Sequence, residues 1–153
     1  MDLLSVEEDG ATASQHPLKI SIALNGDDMR VADARHLAAG FLARCRDEHA
    51  VVVGAWAREA TQLVVSELVT NAYKYAPGPV RLDLRITGGS VEVAVWDGEP
   101  VLPVVREADA GRVGQHGLEI VAALADGFEA HRVPMGKRIT ARISLADASG
   151  SGW

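Results

Sequence analysis

Residues 66–76 read SELVTNAYKYA and continue the apolar run Leu63-Val64-Val65. At helical spacing Glu67 and Asn71 stand one turn apart on a common face, and Lys74 falls close to that face one turn later. Leu63, Val64, Val65, Leu68, Val69 and Ala72 make the segment apolar nearly all round, so its few polar positions are expected to look into something. A carboxylate, an amide and an ammonium held together need a polar ligand between them. A metal-bound nucleotide suits all three. The Asn71 amide oxygen is a hard ligand for magnesium, Lys74 can meet phosphate, and Glu67 can orient or deprotonate a nucleophile. The plain alternative is the solvated Glu–Lys face of an ordinary helix, and this segment alone leaves both open.

The helix is expected over residues 56–76, stopped by Pro77-Gly78-Pro79. Before it, residues 17–24 (PLKISIAL) alternate as a strand does. Asn25-Gly26-Asp27-Asp28 then supplies a turn with acidic capping candidates for a first helix. In that helix Val31, Ala34, Ala38, Phe41 and Cys45 recur at three- and four-residue steps, while Arg30, Arg35, Arg44 and Arg46 lie outside the stripe. Cys45 lies on the stripe and reads as core rather than as a reactive thiol.

After the proline stop, residues 80–87 and 90–96 form two strands joined by Gly88-Gly89, a good hairpin signal. Residues 97–115 are rich in Gly, Pro, Asp and Arg without period, an irregular loop of the kind usually tied to function. Residues 117–126 read as a short helix. Residues 128–133 and 137–145 read as a closing hairpin around Pro134-Met135-Gly136. Consecutive hairpins argue against a doubly wound parallel sheet. The expected fold class is an α/β two-layer sandwich, with a mixed, mostly antiparallel sheet and helices on one face. Residues 1–15 are expected to be a flexible leader, 16–147 the single domain, and 148–153 a flexible tail.

Bulk properties exclude several classes. The chain has 153 residues and a net charge of −6 with no Lys/Arg stripe, so no nucleic-acid partner is expected. No apolar run approaches the roughly 20 residues of a membrane-spanning helix. The acidic start, MDLLSVEEDG, is unlike a signal peptide, which makes a cytoplasmic setting the expectation. Cys45 is the only cysteine, so there is no internal disulfide. The five histidines, His16, His36, His49, His116 and His131, have no ligand spacing with one another. Trp56 and Trp96 read as core or groove aromatics rather than base-stacking platforms.

Two more segments carry possible chemistry. Asp97-Gly98-Glu99-Pro100 follows the strand VEVAVW directly. A carboxylate at a strand end can accept a hydrogen bond from the exocyclic amine of adenine, although these are also the residues that turns prefer. Gly114-Gln115-His116-Gly117-Leu118 precedes the short helix. Glycines there let backbone amides approach an anion where the helix dipole favours phosphate, yet a lone Gly-x-x-Gly is also a plain loop and cap. No Gly-Lys-Ser/Thr follows, so this is not a Walker-type loop.

In this order the three pieces resemble the ATP-binding domains of the histidine-kinase-like (GHKL) ATPase superfamily, over roughly residues 17–146. ELVTNAYKYA is similar to the superfamily's asparagine box, VAVWDGEP to its first glycine box and GQHGLEIV to its second. Within the superfamily, the short chain and compact loop look most like the anti-sigma-factor serine kinases and the small ATP-binding regulators of actinobacteria. The resemblance implies a Bergerat-type fold that binds ATP or ADP with magnesium. It implies Glu67 as general base, Asn71 as magnesium ligand and Lys74 as phosphate contact. Asp97 would read adenine with Gly98 beside it, and Gly114 and Gly117, with Leu118 following, would shape the lid over the phosphates. The implied reaction moves the γ-phosphoryl group of ATP to a serine or threonine of an anti-anti-sigma (STAS-type) protein, which competes with a sigma factor for one surface. A homodimer is implied as well.

Two positions depart from the resemblance. Glu99 and Pro100 follow Gly98 where Asp-x-Gly-x-Gly is usual, and the end of the domain reads Gly136-Lys137-Arg138 where Gly-Lys-Thr or Gly-Thr is common. These departures keep open a non-catalytic module in which nucleotide only stiffens a partner-binding surface. A two-component histidine kinase module would need an upstream helix pair with a phosphoacceptor histidine. Since His36 sits near the domain's own first helix, with little of this sequence before it for such a pair, that module is not the expectation.

Overall fold

The computed structural model describes residues 18–24, 30–75, 78–99 and 116–146. Five strands and three helices follow in the order β1 (Lys19–Leu24), α1 (Val31–His49), α2 (Ala55–Tyr75), β2 (Val80–Thr87), β3 (Ser90–Asp97), α3 (His116–Leu124), β4 (Gly127–Val133) and β5 (Gly136–Ser144). The strands form one sheet in the order β1-β2-β3-β5-β4. All four pairings are antiparallel, the limiting case of the mostly antiparallel sheet expected above.

Alternation along the strands sorts the sheet into two faces. Leu82 pairs with Val95 and Val95 with Ile139, while Leu84 pairs with Val93 and Val93 with Ala141. These apolar rows are buried, and α2 crosses them with Ala57, Ala60, Val64, Val65, Leu68, Val69 and Ala72. The spacing of these helix residues is the i, i+3, i+4 stripe of a core-facing helix. Helices α1 and α3 each pack against α2, which gives the two-layer sandwich. The other face of the sheet is polar. There Asp83 accepts hydrogen bonds from Ser21 Oγ at 2.6 Å, Trp96 Nε1 at 3.1 Å and Arg81 at 3.2 Å.

Several expectations need correcting. Helix α2 is not apolar all round in effect, because Leu63 is exposed. Trp56 is exposed too, and Trp96 lies half-buried on the polar sheet face, with the guanidinium carbons of Arg81 and Arg138 at 4.3 and 5.2 Å from its ring centre. Neither tryptophan is a core residue. The capping candidates Asp27 and Asp28 lie outside the described residues; the N-cap of α1 is Arg30, whose backbone N–H donates to Asp33 Oδ2 at 3.0 Å. An acidic side chain therefore does serve the first turn, from inside the helix.

Cys45 is buried on the inner face of α1, as its place in the stripe implied. Burial, the largest influence, pushes its thiol up, while Arg44 pulls it down and Glu48 raises it. Since the thiolate is the reacting form, the folded protein is expected to resist alkylation by iodoacetamide at pH 8 and to react fully in denaturant. Rapid labelling of the native protein would show that α1 does not hold this side chain inside.

Candidate functional site

The site begins where the apolar rows of the sheet end. Asp97 and Lys137 lie two residues beyond Val95 and at two residues before Ile139, on the face that carries α2, and they pair directly across β3 and β5. Lys137 Nζ donates to Asp97 Oδ1 at 2.9 Å, and both side chains are almost fully buried, at 2% and 1% exposure. The backbone N–H of Glu99 donates to the same oxygen at 2.8 Å, and Lys137 Nζ also reaches the Glu99 carbonyl at 3.4 Å. The other carboxylate oxygen, Asp97 Oδ2, is buried without any hydrogen-bond donor. A buried carboxylate oxygen in that condition is costly and marks a place where a ligand N–H or a water belongs.

The turn before β5 is built around this corner. Gly136 has φ 152°, and a Cβ there would collide with the Asp97 carbonyl and come within 2.6 Å of Gly98 Cα. Gly98 itself is exposed, 3.8 Å (measured from an added Cβ) from the Met135 carbonyl. The β4–β5 turn thus lies flat against the residues that follow β3.

On α2, Glu67 and Asn71 are both half-buried, and Lys74 is exposed in the last turn. The start of α3 meets this helix at Glu67, since a Cβ on Gly117 would stand 2.5 Å from Glu67 Oε1. Any larger residue at 117 would push the carboxylate aside. Leu118 turns into the core beside Val121. Glu67 and Gly117, predicted from separate segments, are therefore neighbours, while Gly114 lies outside the described residues.

Among the described residues no group of three or more His, Cys, Asp or Glu side chains could hold a metal ion. An ion at Asn71 would draw most of its ligands from phosphates and water, as magnesium beside a nucleotide does. A separate groove of about 220 Å³ lies along α1 and α2, lined by Arg35, Glu59, Gln62, Leu63 and Ser66, and includes none of the predicted site residues. Among the described residues no helix is long and apolar enough to cross a membrane.

Lys137 was not foreseen as a site residue. The signal was present, because Lys137, Ile139, Ala141 and Ile143 share one parity of β5, which places the lysine on the buried face. Arg138, with the opposite parity, stacks on Trp96 and stays clear of the helices. Asp83 was missed as well, since polar residues alternating along a strand normally mean only a wet face.

A model of the family described as "Histidine kinase-like ATPase domain" matches residues 25–143, which include α1 through most of β5 and all of the residues above. No curated protein matches the chain significantly.

The corner at Gly136 gives a direct test of this geometry. Gly136→Ala is expected to cost more than about 2 kcal/mol, from backbone strain plus the collision with Asp97 and Gly98. Urea unfolding measures it, and a loss below about 0.5 kcal/mol, the scale of neutral surface changes, would show that the turn does not press on β3 in this way.

Proposed function

Since this chain belongs to the histidine kinase-like ATPase domain family, we propose that it is an ATP-binding regulator of the anti-sigma-factor type that phosphorylates a serine or threonine of a STAS-type antagonist. The observation that carries the nucleotide reading is Asp97 Oδ2, a buried acceptor at the end of β3 whose sister oxygen is already held by Lys137 and Glu99. The exocyclic amine of adenine is a donor of the right kind for it. In this reading Asp97 and Gly98 take the base and Lys74 meets phosphate. Gly114, Gly117 and Leu118 set the start of α3 against the phosphates. Asn71 would hold magnesium, which would supply screening of the negative charge of the phosphates.

Glu67 then acts as general base. Its carboxylate takes the proton of the acceptor hydroxyl as that oxygen bonds to the γ-phosphorus, and the bond from the γ-phosphorus to the bridging oxygen breaks to leave ADP. Gly117 supports this role because its lack of a side chain lets α3 approach without displacing the Glu67 carboxylate. A sigma factor and the antagonist compete for the kinase in this scheme, which functions as a homodimer in a cytoplasmic setting.

A second reading, a nucleotide-binding module without transfer, is favoured by Arg138. Where the family commonly offers threonine, Arg138 leaves the helix side of the sheet and stacks on Trp96, so this position gives the pocket no hydroxyl. Transfer of labelled γ-phosphate to candidate antagonists separates the two. Glu67→Ala is expected to keep Mg-ATP binding and to abolish the transfer; complexes that form with no antagonist ever phosphorylated by the wild type would establish the module instead.

Asn71→Ala tests the metal assignment. Calorimetry with and without magnesium is expected to show the magnesium-dependent part of ATP affinity lost, on the order of 2 kcal/mol, with the fold intact. Unchanged affinity in the presence of magnesium would remove Asn71 from the site.

A further inference from the structure

The buried cation beside Asp97 has a consequence for which base the site accepts, and the inference rests on the nucleotide reading above. Lys137 spends two of its three ammonium hydrogens on Asp97 Oδ1 and the Glu99 carbonyl. Among the described residues Asp97 is the anionic partner of Lys137, and the pair is shut off from water. An ionised carboxylate only accepts hydrogen bonds, whereas a protonated one also donates. A buried carboxyl stripped of its cation takes a proton rather than stay charged in an apolar place. It would then meet either kind of purine edge: an amine that donates, or a carbonyl that accepts.

We propose that Lys137 is the specificity-positioning residue of the base pocket, holding Asp97 with Oδ1 saturated and Oδ2 as a pure acceptor, so that a 6-aminopurine binds and a 6-oxopurine is refused. Lys137 acts through Asp97 and need not touch the base. Three observations on separate groups support it. The ion pair is direct at 2.9 Å. Glu99 N takes the same oxygen, so both donors fall on Oδ1 and none on Oδ2. The glycine at 136 allows the strand carrying Lys137 to lie against Asp97 and Gly98.

The test compares dissociation constants of Mg-ATP and Mg-ITP, which differ in the 6-substituent and the adjoining ring nitrogen, on the full chain. The wild type is expected to prefer ATP by at least about tenfold, as sites built around a buried hydrogen bond do. In Lys137→Met the preference is expected to fall to within about threefold, through tighter ITP binding as well as weaker ATP binding. Lys137→Arg, which keeps the cation, is expected to restore the preference in part. A general loss of structure would weaken both nucleotides together and leave the ratio alone, so the ratio reads the proposed role. If Lys137→Met does not fold, Lys137→Gln, which removes the cation but keeps a polar side chain and leaves Asp97 in place, serves instead, with the same expected fall in ratio. A folded variant that keeps the wild-type ratio overturns the role of Lys137 while ATP binding by the wild type stands. A wild type that binds neither nucleotide at millimolar concentration overturns the nucleotide reading itself.

Discussion

The pairing of β3 with β5 is the constraint on which the site depends. It joins residues 40 positions apart, Asp97 and Lys137, and does so with one register along eight residue pairs. Because side chains alternate across a strand, a slip of one residue would turn Asp97 to the open face and bring Trp96 under α2. The apolar pairs Val95–Ile139, Val93–Ala141 and Val91–Ile143 forbid that slip, since it would turn the buried Val91, Val93 and Val95 out from under the helices at once. The polar pair at the strand end is thus positioned by the hydrophobic pairs behind it. A lone Asp–Lys attraction would not suffice, because the cost of stripping water from two charges offsets much of their attraction.

The open face of the sheet contributes to the same corner from behind. Trp96 directly precedes Asp97, and its indole is held by Asp83 from the neighbouring strand and flanked by Arg81 and Arg138. Each cation–π contact is worth only about 0.5–1 kcal/mol at a partly exposed site. Together with the Asp83 hydrogen bonds they fix the last residues of β3 on the side opposite the helices. Position 97 is therefore clamped from both faces, by Lys137 below the helices and through its neighbour's indole above.

Much of this was legible in the residues. Helix α2 was found by its dense i, i+3, i+4 apolar pattern, and the β2–β3 hairpin by Gly88-Gly89 between two alternating runs. Glu67, Asn71 and Asp97 stood out because their residue types at those spacings suit a nucleotide. What escaped was which side of its own element a residue occupies and what covers that side. Lys137 was passed over although its parity with Ile139, Ala141 and Ile143 places it on the buried face of β5, and Trp96, read as a core or groove aromatic, has the parity of the open face. Leu63 belongs to the apolar run of α2 yet is exposed, because apolar character says nothing about which side of a helix another element covers. The Arg30–Asp33 cap was hidden for a similar reason, since arginine at an N-cap is no signal by itself.

The Asp97–Lys137 pair also restricts how this sequence can change over time. Replacing either partner alone leaves the other buried without its counter-charge, at a cost of about 3–5 kcal/mol, a large part of the stability of a domain this size. Replacing both together with neutral residues of similar volume is tolerated far better. The two positions are thus inherited as a unit. In a set of descendants of this chain they should be found changed together or not at all, whatever happens to the residues between them.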